Sequence, residues 1–485
     1  MWAAYFGKAE VVQALLDKGA EINATDNDGQ TALFMASWQD HLDIVQALLG
    51  RKAEIDARTK KGETALMWAS QEGRLDVVRA LLAKGAEVNL QGDDGETALS
   101  LAAQRGRFDV VNTLLAYGSE VNLLDNGGWT ALIWASQEGH FDVVRALLTK
   151  KADVNAQGKN GVTALLMASR TGRLEILRSL LDDGADINAK KEDGGTALFD
   201  ACAGDHPEVV RELLARGVNI GARKSDGTTA LYCASANGHP DIVQMLLASG
   251  ADANDSSNDG TTALMAASLN GVIDVTRLLI SKGGDVNIQR KDGATALMAA
   301  SLSGHLDVVQ LLIAQGAKVN AKSTNGGTAL MMASQGGYIE VVQALLAAKA
   351  EVNTKTSDQG TTPLMFASMK GYPVVVQALL EANADVSARK VDGSTALIGA
   401  SQEGHIDVVK TLLAHGAEVD ATDSIGQTAL MAASYAGHAD VVRALIVKGA
   451  SVNAKNETGG TALGAAIVGK HDEVREVLLQ AGAKP

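Results

Sequence analysis

Histidine, cysteine and carboxylate side chains are the groups in this chain that could carry acid–base, nucleophilic or metal chemistry. Such chemistry needs a cluster of residues that occurs once in the molecule. Only His415 has a unique position, near the predicted end of a helix, where positive charge is favourable. The other histidines all lie ten residues after a threonine of a recurring T-A-L (once T-P-L) motif, and we interpret them as structural loop residues: His41, His140, His206, His239, His305, His405, His438 and His471.

The other signatures of an active site are missing from the sequence. It has no catalytically spaced carboxylate pair, G-x-S-x-G motif, phosphate-binding loop or metal-spaced cysteine cluster. Cys202 and Cys233 lie six and four residues after their threonines in neighbouring repeats, a placement too far apart for a disulfide. We predict that both are small core residues. We predict no catalytic residue, no metal, no cofactor and no enzymatic activity.

One unit is copied along the whole chain. Its threonines recur every 33 residues, with one step of 34, and self-similarity at this period indicates a stacked-repeat solenoid. The extra residue of the longer step lies in the loop 354–359, which we expect to bulge. The fourteen threonines, which number the repeats below, are Thr31, Thr64, Thr97, Thr130, Thr163, Thr196, Thr229, Thr262, Thr295, Thr328, Thr362, Thr395, Thr428 and Thr461.

The second repeat shows how the unit folds. Thr64 is a suitable N-cap for a short helix of small and apolar residues. That helix ends at Gly73, and a second helix runs from about Leu75 to Lys84. Gly62, two residues before the threonine, has a glycine counterpart in all fourteen repeats, which predicts a turn with positive φ. A polar loop that carries an Asp-Gly turn signal then leads to the next threonine.

Three repeats replace the glycine that closes the first helix. Asp40, Asp205 and Lys470 occupy this position. Because a residue with a Cβ is disfavoured in a left-handed helix cap, we expect local adjustments there.

The recurring spellings T-A-L-x-x-A-[AS], G-H, V-V-x-x-L-L and G-A-x-V-N resemble the ankyrin repeat over essentially the whole chain. The resemblance implies an all-α solenoid of stacked helix-turn-helix units with β-turn finger loops, wound into a curved superhelix. Two features depart from the family pattern. The residue after the cap is alanine in thirteen of fourteen repeats, and the family's histidine three residues past the threonine is absent; Phe34 and Met67 are examples of its replacements. We therefore expect mostly apolar packing where relatives form hydrogen bonds between repeats.

The array is predicted to comprise a truncated N-terminal repeat at 1–25, full repeats at 26–455 and a capping repeat at 456–485. Trp2, Tyr5 and Phe6 give the first of these an apolar end, so that either upstream sequence has been lost or this end docks onto another molecule. Arg475 lies where the other repeats have an aliphatic residue at the contact with the next repeat, with Thr276 as the one mild exception. Because a cation is costly to bury, we expect the array to end there.

Composition narrows the classes of partner and compartment. The formal net charge is −14 at pH 7, spread along the chain, and no segment forms a basic stripe. We therefore expect no nucleic-acid partner. There is no apolar run of 18 residues and no signal-like N-terminus. We expect a cytoplasmic monomer that binds a protein and no membrane, with export through a lost leader as the alternative.

Tryptophan supplies the clearest candidate for a binding surface, since all five tryptophans lie within the first 134 residues. In ankyrin proteins the partner usually meets the concave surface formed by loop tips and the exposed edge of the first helix. The resemblance places Trp38, Trp68, Trp129 and Trp134 on that face. Four residues past the threonine, side chains then become small, as at Ala266 and Ala299.

This tryptophan stripe supports two interpretations. Tryptophan is enriched at binding hot spots, and an apolar stripe with a polar rim has the composition of an interface; alternatively, the rings only pack on their neighbours. The rim residues are Gln71, Glu72, Gln104, Arg105, Gln137, Glu138 and Arg170.

The leading functional hypothesis is a protein-binding scaffold whose principal contact lies on the concave face of residues 27–170. The alternative is an adaptor or inhibitory subunit derived from a larger polypeptide, with the N-terminal aromatic residues at the junction to a missing domain.

Overall fold

The structure is a computed structural model that describes residues 1–484. The chain divides into two compact units, which are described separately. The first comprises Met1–Ser225 with Ala248–Gly250, and the second comprises Asp226–Leu247 with 251–484. The helices are numbered in chain order, so that the first helix of each repeat has an odd number and the second an even one.

The first unit contains seven helix pairs and a 3₁₀ turn at Lys159–Gly161. The first helices are α1 Trp2–Tyr5, α3 Ala32–Trp38, α5 Ala65–Glu72, α7 Ala98–Gln104, α9 Ala131–Glu138, α11 Ala164–Arg170 and α13 Ala197–Ala203. The second helices are α2 Ala9–Asp17, α4 Leu42–Gly50, α6 Leu75–Ala83, α8 Phe108–Ala116, α10 Phe141–Thr149, α12 Leu174–Asp182 and α14 Pro207–Ala215.

The second unit contains eight further pairs. The first helices are α15 Ala230–Asn237, α17 Ala263–Leu269, α19 Ala296–Ser303, α21 Ala329–Gly336, α23 Pro363–Lys370, α25 Ala396–Gln402, α27 Ala429–Ala436 and α29 Ala462–Gly469. The second helices are α16 Pro240–Ala248, α18 Ile273–Ser281, α20 Leu306–Ala314, α22 Ile339–Ala347, α24 Pro373–Glu381, α26 Ile406–Ala414, α28 Ala439–Val447 and α30 Asp472–Gln480.

Within each unit, first helices pack on first helices and second helices on second helices of the adjacent repeat. The predicted all-α stacked solenoid is therefore confirmed. In the second repeat the core consists of Leu66, Met67, Val77, Val78 and Leu81, all at most 1% exposed. Because no helix within residues 1–484 is longer than nine residues, helix propensity alone cannot stabilise the fold, and neighbouring repeats must supply the stability.

The threonine caps form as predicted. The Met67 N–H donates to Thr64 Oγ1 at 3.3 Å, and the same bond is present at thirteen of the fourteen threonines, with Thr196 as the exception. All fourteen glycines two residues before a threonine have positive φ, and Gly62 at +74° is typical. The finger turn that contains Gly62 is closed by the Thr59 N–H, which donates to the Glu63 carbonyl at 2.9 Å.

Asp40, Asp205 and Lys470 adopt the backbone conformation that glycine has at this position in other repeats. Their φ angles are +67°, +56° and +60°, which keeps them in the left-handed region that Gly73 occupies at +80°. The closing turn is held by hydrogen bonds on both sides, so that the replaced residue adopts the strained conformation instead of moving the chain.

The expected bulge in the loop 354–359 is present. There the Thr356 N–H donates to the Thr361 carbonyl at 3.0 Å, five residues on, whereas Thr59 bonds the residue four positions on. One residue is thus added to the turn, and the helices on either side keep their positions in the repeat.

Hydrogen bonds between repeats come from residues other than the missing family histidine. Met67, at that position, is buried as expected. The His140 Nε2 atom instead lies 3.0 Å from the Gln104 carbonyl of the previous repeat, and the equivalent contacts of six other histidines measure 2.9–3.1 Å. Asn89 makes a second type of link, because its Oδ1 accepts from the Glu120 N–H at 2.8 Å.

The prediction that both cysteines lie in the core holds for only one of them. Cys202 is buried, but Cys233 is half-buried. Cys233 lies four residues after its threonine, at the exposed edge of its first helix, so burial is incomplete there. In the first unit the equivalent helix position, four residues after the threonine, holds Trp68 and Trp134.

Candidate functional site

The first pair of tryptophans lies on adjacent first helices. Trp38 ends α3 and Trp68 lies in the middle of α5, and their ring centroids are 5.2 Å apart. Tyr5 continues this row on one side, with its ring 5.9 Å from Trp38, and Phe34 packs on Trp68 at 6.0 Å. Both indoles are half-buried. They pack on neighbours and still expose part of their surface, so the structure combines the two interpretations left open by the sequence.

The second pair consists of Trp129, in the finger loop, and Trp134, in α9, with ring centroids 4.4 Å apart. Asp125 holds both residues. Its Oδ2 accepts from Trp134 Nε1 at 2.8 Å, and its Oδ1 accepts from the Trp129 N–H at 2.8 Å. We call Trp129 and Trp134 the indole pair. Because the indole N–H of Trp134 is already satisfied, this residue offers a partner its apolar surface.

The two tryptophan pairs are separate. The intervening repeat has Leu101 at the position of Trp68 and Trp134, and its side chain is only 8% exposed. Among the described residues, the ring contacts join Trp38 to Trp68 and Trp129 to Trp134, with none between the pairs. The structure therefore brings the four predicted tryptophans together two by two.

The predicted rim residues differ in exposure and in partners. Glu72 is half-buried, whereas Arg105, Glu138 and Arg170 are exposed. Arg170 Nη2 donates to Gln137 Oε1 at 2.9 Å, and Gln137 Nε2 donates to Glu138 Oε1 at 3.0 Å. The rim thus contains a short polar chain that links α9 to α11 beside the indole pair.

Acidic side chains crowd the finger loops on one side of the indole pair. Glu96 is half-buried. Burial raises its pKa, and the nearby carboxylates of Asp94, Asp125 and Glu63 raise it further. A carboxylate that loses water and gains like-charged neighbours is easier to protonate. Because several carboxylates lie close together, this part of the face repels anions.

An ion pair that the sequence analysis missed lies on the other side. Lys191 Nζ is 2.6 Å from Asp200 Oδ1, and Asp200 occupies the helix position that Trp134 has in the fourth repeat. Asp200 Oδ2 is buried with no hydrogen-bond partner in the described structure. Burial raises the pKa of Asp200, although the hydrogen bond from Lys191 opposes this rise.

The second unit contains a groove of about 500 Å³ on its first-helix face. The signal that could have located it was the run of small residues after Cys233. Arg290 borders the groove and donates from Nε to Asp292 Oδ1 at 2.9 Å, and this hydrogen bonding lowers the pKa of Asp292 to about 2. Its floor is formed by Met265, Ala266, Met298, Ala299 and Met332.

Metal-binding clusters and membrane-spanning helices are both absent from residues 1–484. No group of three or more histidine, cysteine, aspartate or glutamate side chains is arranged to hold a metal ion in this part of the chain. No helix in it is both long and apolar enough to span a membrane. The features that remain on the first-helix face are apolar surface, ion pairs and finger loops.

Comparison with known protein families agrees with this geometry. The family model described as "Ankyrin repeats (3 copies)" matches eight overlapping or adjacent segments: residues 1–92, 85–158, 165–257, 200–290, 249–323, 274–356, 330–423 and 397–485. The chain belongs to the ankyrin-repeat family. Ankyrin repeats are generally protein–protein interaction modules, and their fold is typically a non-enzymatic scaffold.

One similar solved structure is titled "Crystal structure of human ASB11 ankyrin repeat domain". It is 28% identical, covers 46% of this chain and 100% of its own, and has a TM-score of 0.44. A search of curated proteins found no match.

Proposed function

We propose that this ankyrin array is a scaffold that binds a protein partner on the first-helix and finger-loop face of residues 27–170. The observation that carries the proposal is the set of four half-buried tryptophans in two ring-packed pairs on that face. Half-buried indoles are held rigidly and still present apolar area, so little side-chain entropy is lost when a partner covers them.

The charged residues of the polar rim can orient a partner on this surface. Glu72, Arg105, Glu138 and Arg170 lie at the ends of first helices next to the tryptophans. Charged residues at a rim contribute mainly to the association rate and to specificity, while the central aromatic residues contribute most of the affinity. We therefore assign the anchoring role to Trp38, Trp68, Trp129 and Trp134, and the steering role to the four charged residues.

A paired substitution tests the proposal. Trp68→Ala with Trp134→Ala removes one indole from each pair, and we expect loss of partner capture with retained helicity. The matched control is Tyr117→Ala, since Tyr117 is 50% exposed at the end of a second helix, away from this face. Captured proteins are identified by mass spectrometry, and helicity is measured by circular dichroism. Unchanged capture by the double variant would refute the proposal.

A regulatory subunit that acts through its N-terminal aromatic residues is a second candidate. Trp2 and Phe6 are 73% and 60% exposed, and their rings stack at 5.7 Å. An exposed apolar cluster of this kind is typical of an interaction site. Trp2→Ala with Phe6→Ala should then abolish regulation of the partner's activity but leave capture through the tryptophan face intact. Equal regulation by the variant and the wild type would exclude this candidate.

A further inference from the structure

A group of basic side chains lies next to the indole pair, on three consecutive finger loops and the end of α11. The sequence separates these residues by about one repeat, so the group is visible only when the loops are stacked. We call it the cationic ridge, and it consists of Lys159, Arg170, Lys190, Lys191, Arg223 and Lys224. Five carboxylates lie among or beside them, those of Glu138, Glu192, Asp193, Asp200 and Asp226. The ridge thus has an excess of positive charge in a protein whose net charge is −14.

Backbone hydrogen bonds align the loops of the ridge. The Glu192 N–H donates to the Asn160 carbonyl at 2.9 Å, and the Ser225 N–H donates to the Asp193 carbonyl at 2.8 Å. Each bond joins one finger loop to the loop before it. Equivalent positions of successive loops therefore lie side by side, which makes the ridge a continuous surface.

Two of the basic residues are engaged within the ridge. Lys191 pairs with the half-buried Asp200 at 2.6 Å. Lys224 Nζ lies 3.5 Å from Asp193 Oδ2 and 5.6 Å from the centre of the Phe199 ring. These contacts neutralise Asp193 and Asp200, whereas Glu138 and Glu192 form no ion pair within the described part of the chain.

Three basic residues form no ion pair with a carboxylate of the described chain, although Arg170 lies near enough to Asp200 to help lower the pKa of that carboxyl. Lys159 and Lys190 are exposed and form no ion pair within the described part of the chain. Arg170 is exposed, and its recorded side-chain hydrogen bond goes to the uncharged amide of Gln137. Together they outnumber the two carboxylates without an ion pair, Glu138 and Glu192. The uncompensated charge of the ridge is therefore positive and accessible.

The ridge is continuous with the indole pair. A Cβ atom added to Gly158 would lie 3.1 Å from Trp129 Cδ1, so the indole packs against the loop that carries Lys159. On α9, Gln137 lies one turn after Trp134, and it accepts the hydrogen bond from Arg170. An extended segment bound over the indole pair would thus reach exposed cations with its next residues.

The opposite side of the indole pair has the opposite charge. The preceding finger loops carry Asp93, Asp94, Glu96 and Asp125. An acidic segment is repelled there and attracted by the ridge, which fixes both its location and its direction along the face. A basic segment would meet the reverse pattern. The lysines of the ridge are isolated from one another and lie between carboxylates of the protein. Such lysines bind the single carboxylates of a partner better than a dianionic group, which binds best where several donors converge.

We propose that the cationic ridge and the indole pair together bind an acidic protein segment, with an apolar side chain on Trp129 and Trp134 and carboxylates over Lys159, Arg170 and Lys190. This inference rests on the proposed function and specifies the chemistry of the partner for one end of the same face. Carboxylates bound in this way form charge-assisted hydrogen bonds with the cations, and their attraction weakens as salt is added.

A random peptide library displayed on phage is the probe for this proposal. The library is selected on the full chain, and the enriched peptides are tested for binding to three variants. Trp129→Ala with Trp134→Ala removes the indole pair, and Lys159→Glu with Lys190→Glu reverses the sign of two exposed charges on the ridge. Lys84→Glu with Lys150→Glu makes the same charge change at exposed ends of second helices, away from the face. Thermal melting verifies that all variants are folded.

The outcomes separate the two proposals. The inference predicts peptides that combine an aromatic or aliphatic residue with aspartate or glutamate, that bind about tenfold or more weakly to the ridge variant, and that bind normally to the control. Peptides that need the indole pair but are neutral or basic, or that bind equally to the ridge variant, overturn the inference and leave the proposed function standing. The absence of any peptide that depends on the indole pair overturns both proposals at this end of the face.

Discussion

Lys191 Nζ and Asp200 Oδ1 lie 2.6 Å apart and join a finger loop to the first helix of the same repeat. The same two positions, nine residues apart, hold Asp125 and Trp134 in the fourth repeat, where they are joined by a hydrogen bond of 2.8 Å. In the ninth repeat they hold Arg290 and Ala299. An alanine cannot reach the loop, so Arg290 bonds Asp292 instead, and a groove of about 500 Å³ opens.

These two positions therefore determine the local character of the face. An aspartate with a tryptophan gives a fixed indole, a lysine with an aspartate gives an ion pair, and an arginine with an alanine gives a groove. The helices beneath are almost the same in each case, because the buried positions repeat while the exposed edge varies.

The pH dependence of stability should reveal the burial of Asp200. Because burial raises its folded pKa above the ordinary value of 3.8, ionisation of Asp200 destabilises the folded state, and this cost grows as pH rises from 3.8 and is complete above the folded pKa. We expect Asp200→Asn to raise Tm at pH 7, and this gain to shrink as pH falls through the folded pKa towards 3.8. Thermal melts followed by circular dichroism across this pH range measure the effect.

The control for that experiment is Asp193→Asn in the neighbouring loop. Its pKa is lowered, mainly by the hydrogen bond from the Gly195 N–H. A group with a lowered folded pKa stabilises the fold above its ordinary pKa, and this stabilisation is lost as pH falls. The substitution should therefore lower Tm at pH 7 and have less effect at low pH. The same sign for both variants would contradict the assigned burial of Asp200.

Histidine bonds between repeats should contribute measurably to stability. His140→Ala removes the contact of Nε2 with the Gln104 carbonyl and leaves that carbonyl without this partner. We expect a loss of about 1–2 kcal/mol and faster hydrogen exchange in α7. His415→Ala is the matched control, because its Nδ1 contacts Thr411 within its own helix; its effect should be within about 0.5 kcal/mol. Equal losses for the two variants would refute this assignment.

The left-handed conformation of Lys470 is strained, so a glycine at this position should increase the stability of the fold. Its φ is +60°, and glycine adopts that region without steric cost. Lys470→Gly is expected to stabilise the chain by about 1 kcal/mol, measured by urea unfolding. The reverse change in the preceding repeat, Gly437→Ala, should destabilise it, since φ is +84° there and the added Cβ would lie 2.5 Å from the His471 Nδ1 atom. A destabilised Lys470→Gly variant would show that the lysine side chain makes a contact whose stabilisation exceeds the cost of the strained backbone.

The groove in the second unit should accept a large side chain. Ala299 is half-buried at its floor, at the helix position that Trp68 and Trp134 occupy elsewhere. We expect Ala299→Trp to leave Tm unchanged or higher. Ala300, one residue on, is 0% exposed in the core, and Ala300→Trp should cost about 1–3 kcal/mol or more by overpacking. Similar losses of Tm in both variants would mean that the groove cannot accommodate an indole.

The sequence alone determined the repeated fold. The period, the threonine caps, the positive-φ glycines and the buried stripe of residues such as Val77 and Val78 all depend on local backbone geometry or on the adjacent copy. The sequence pattern for each of these features recurs in fourteen repeats. The helix boundaries agree for this reason, with α6 ending at Ala83, one residue before the predicted limit.

Tertiary structure decided how side chains on different repeats meet. The sequence placed Trp129 and Trp134 on one face, but stacking of the loops determined that they contact each other and that Asp125 binds both. Charge counted along the chain also mixed finger loops with second helices and so concealed the cationic ridge. Residues about 33 positions apart become neighbours only when the repeats stack, and the character of the face depends on those neighbours.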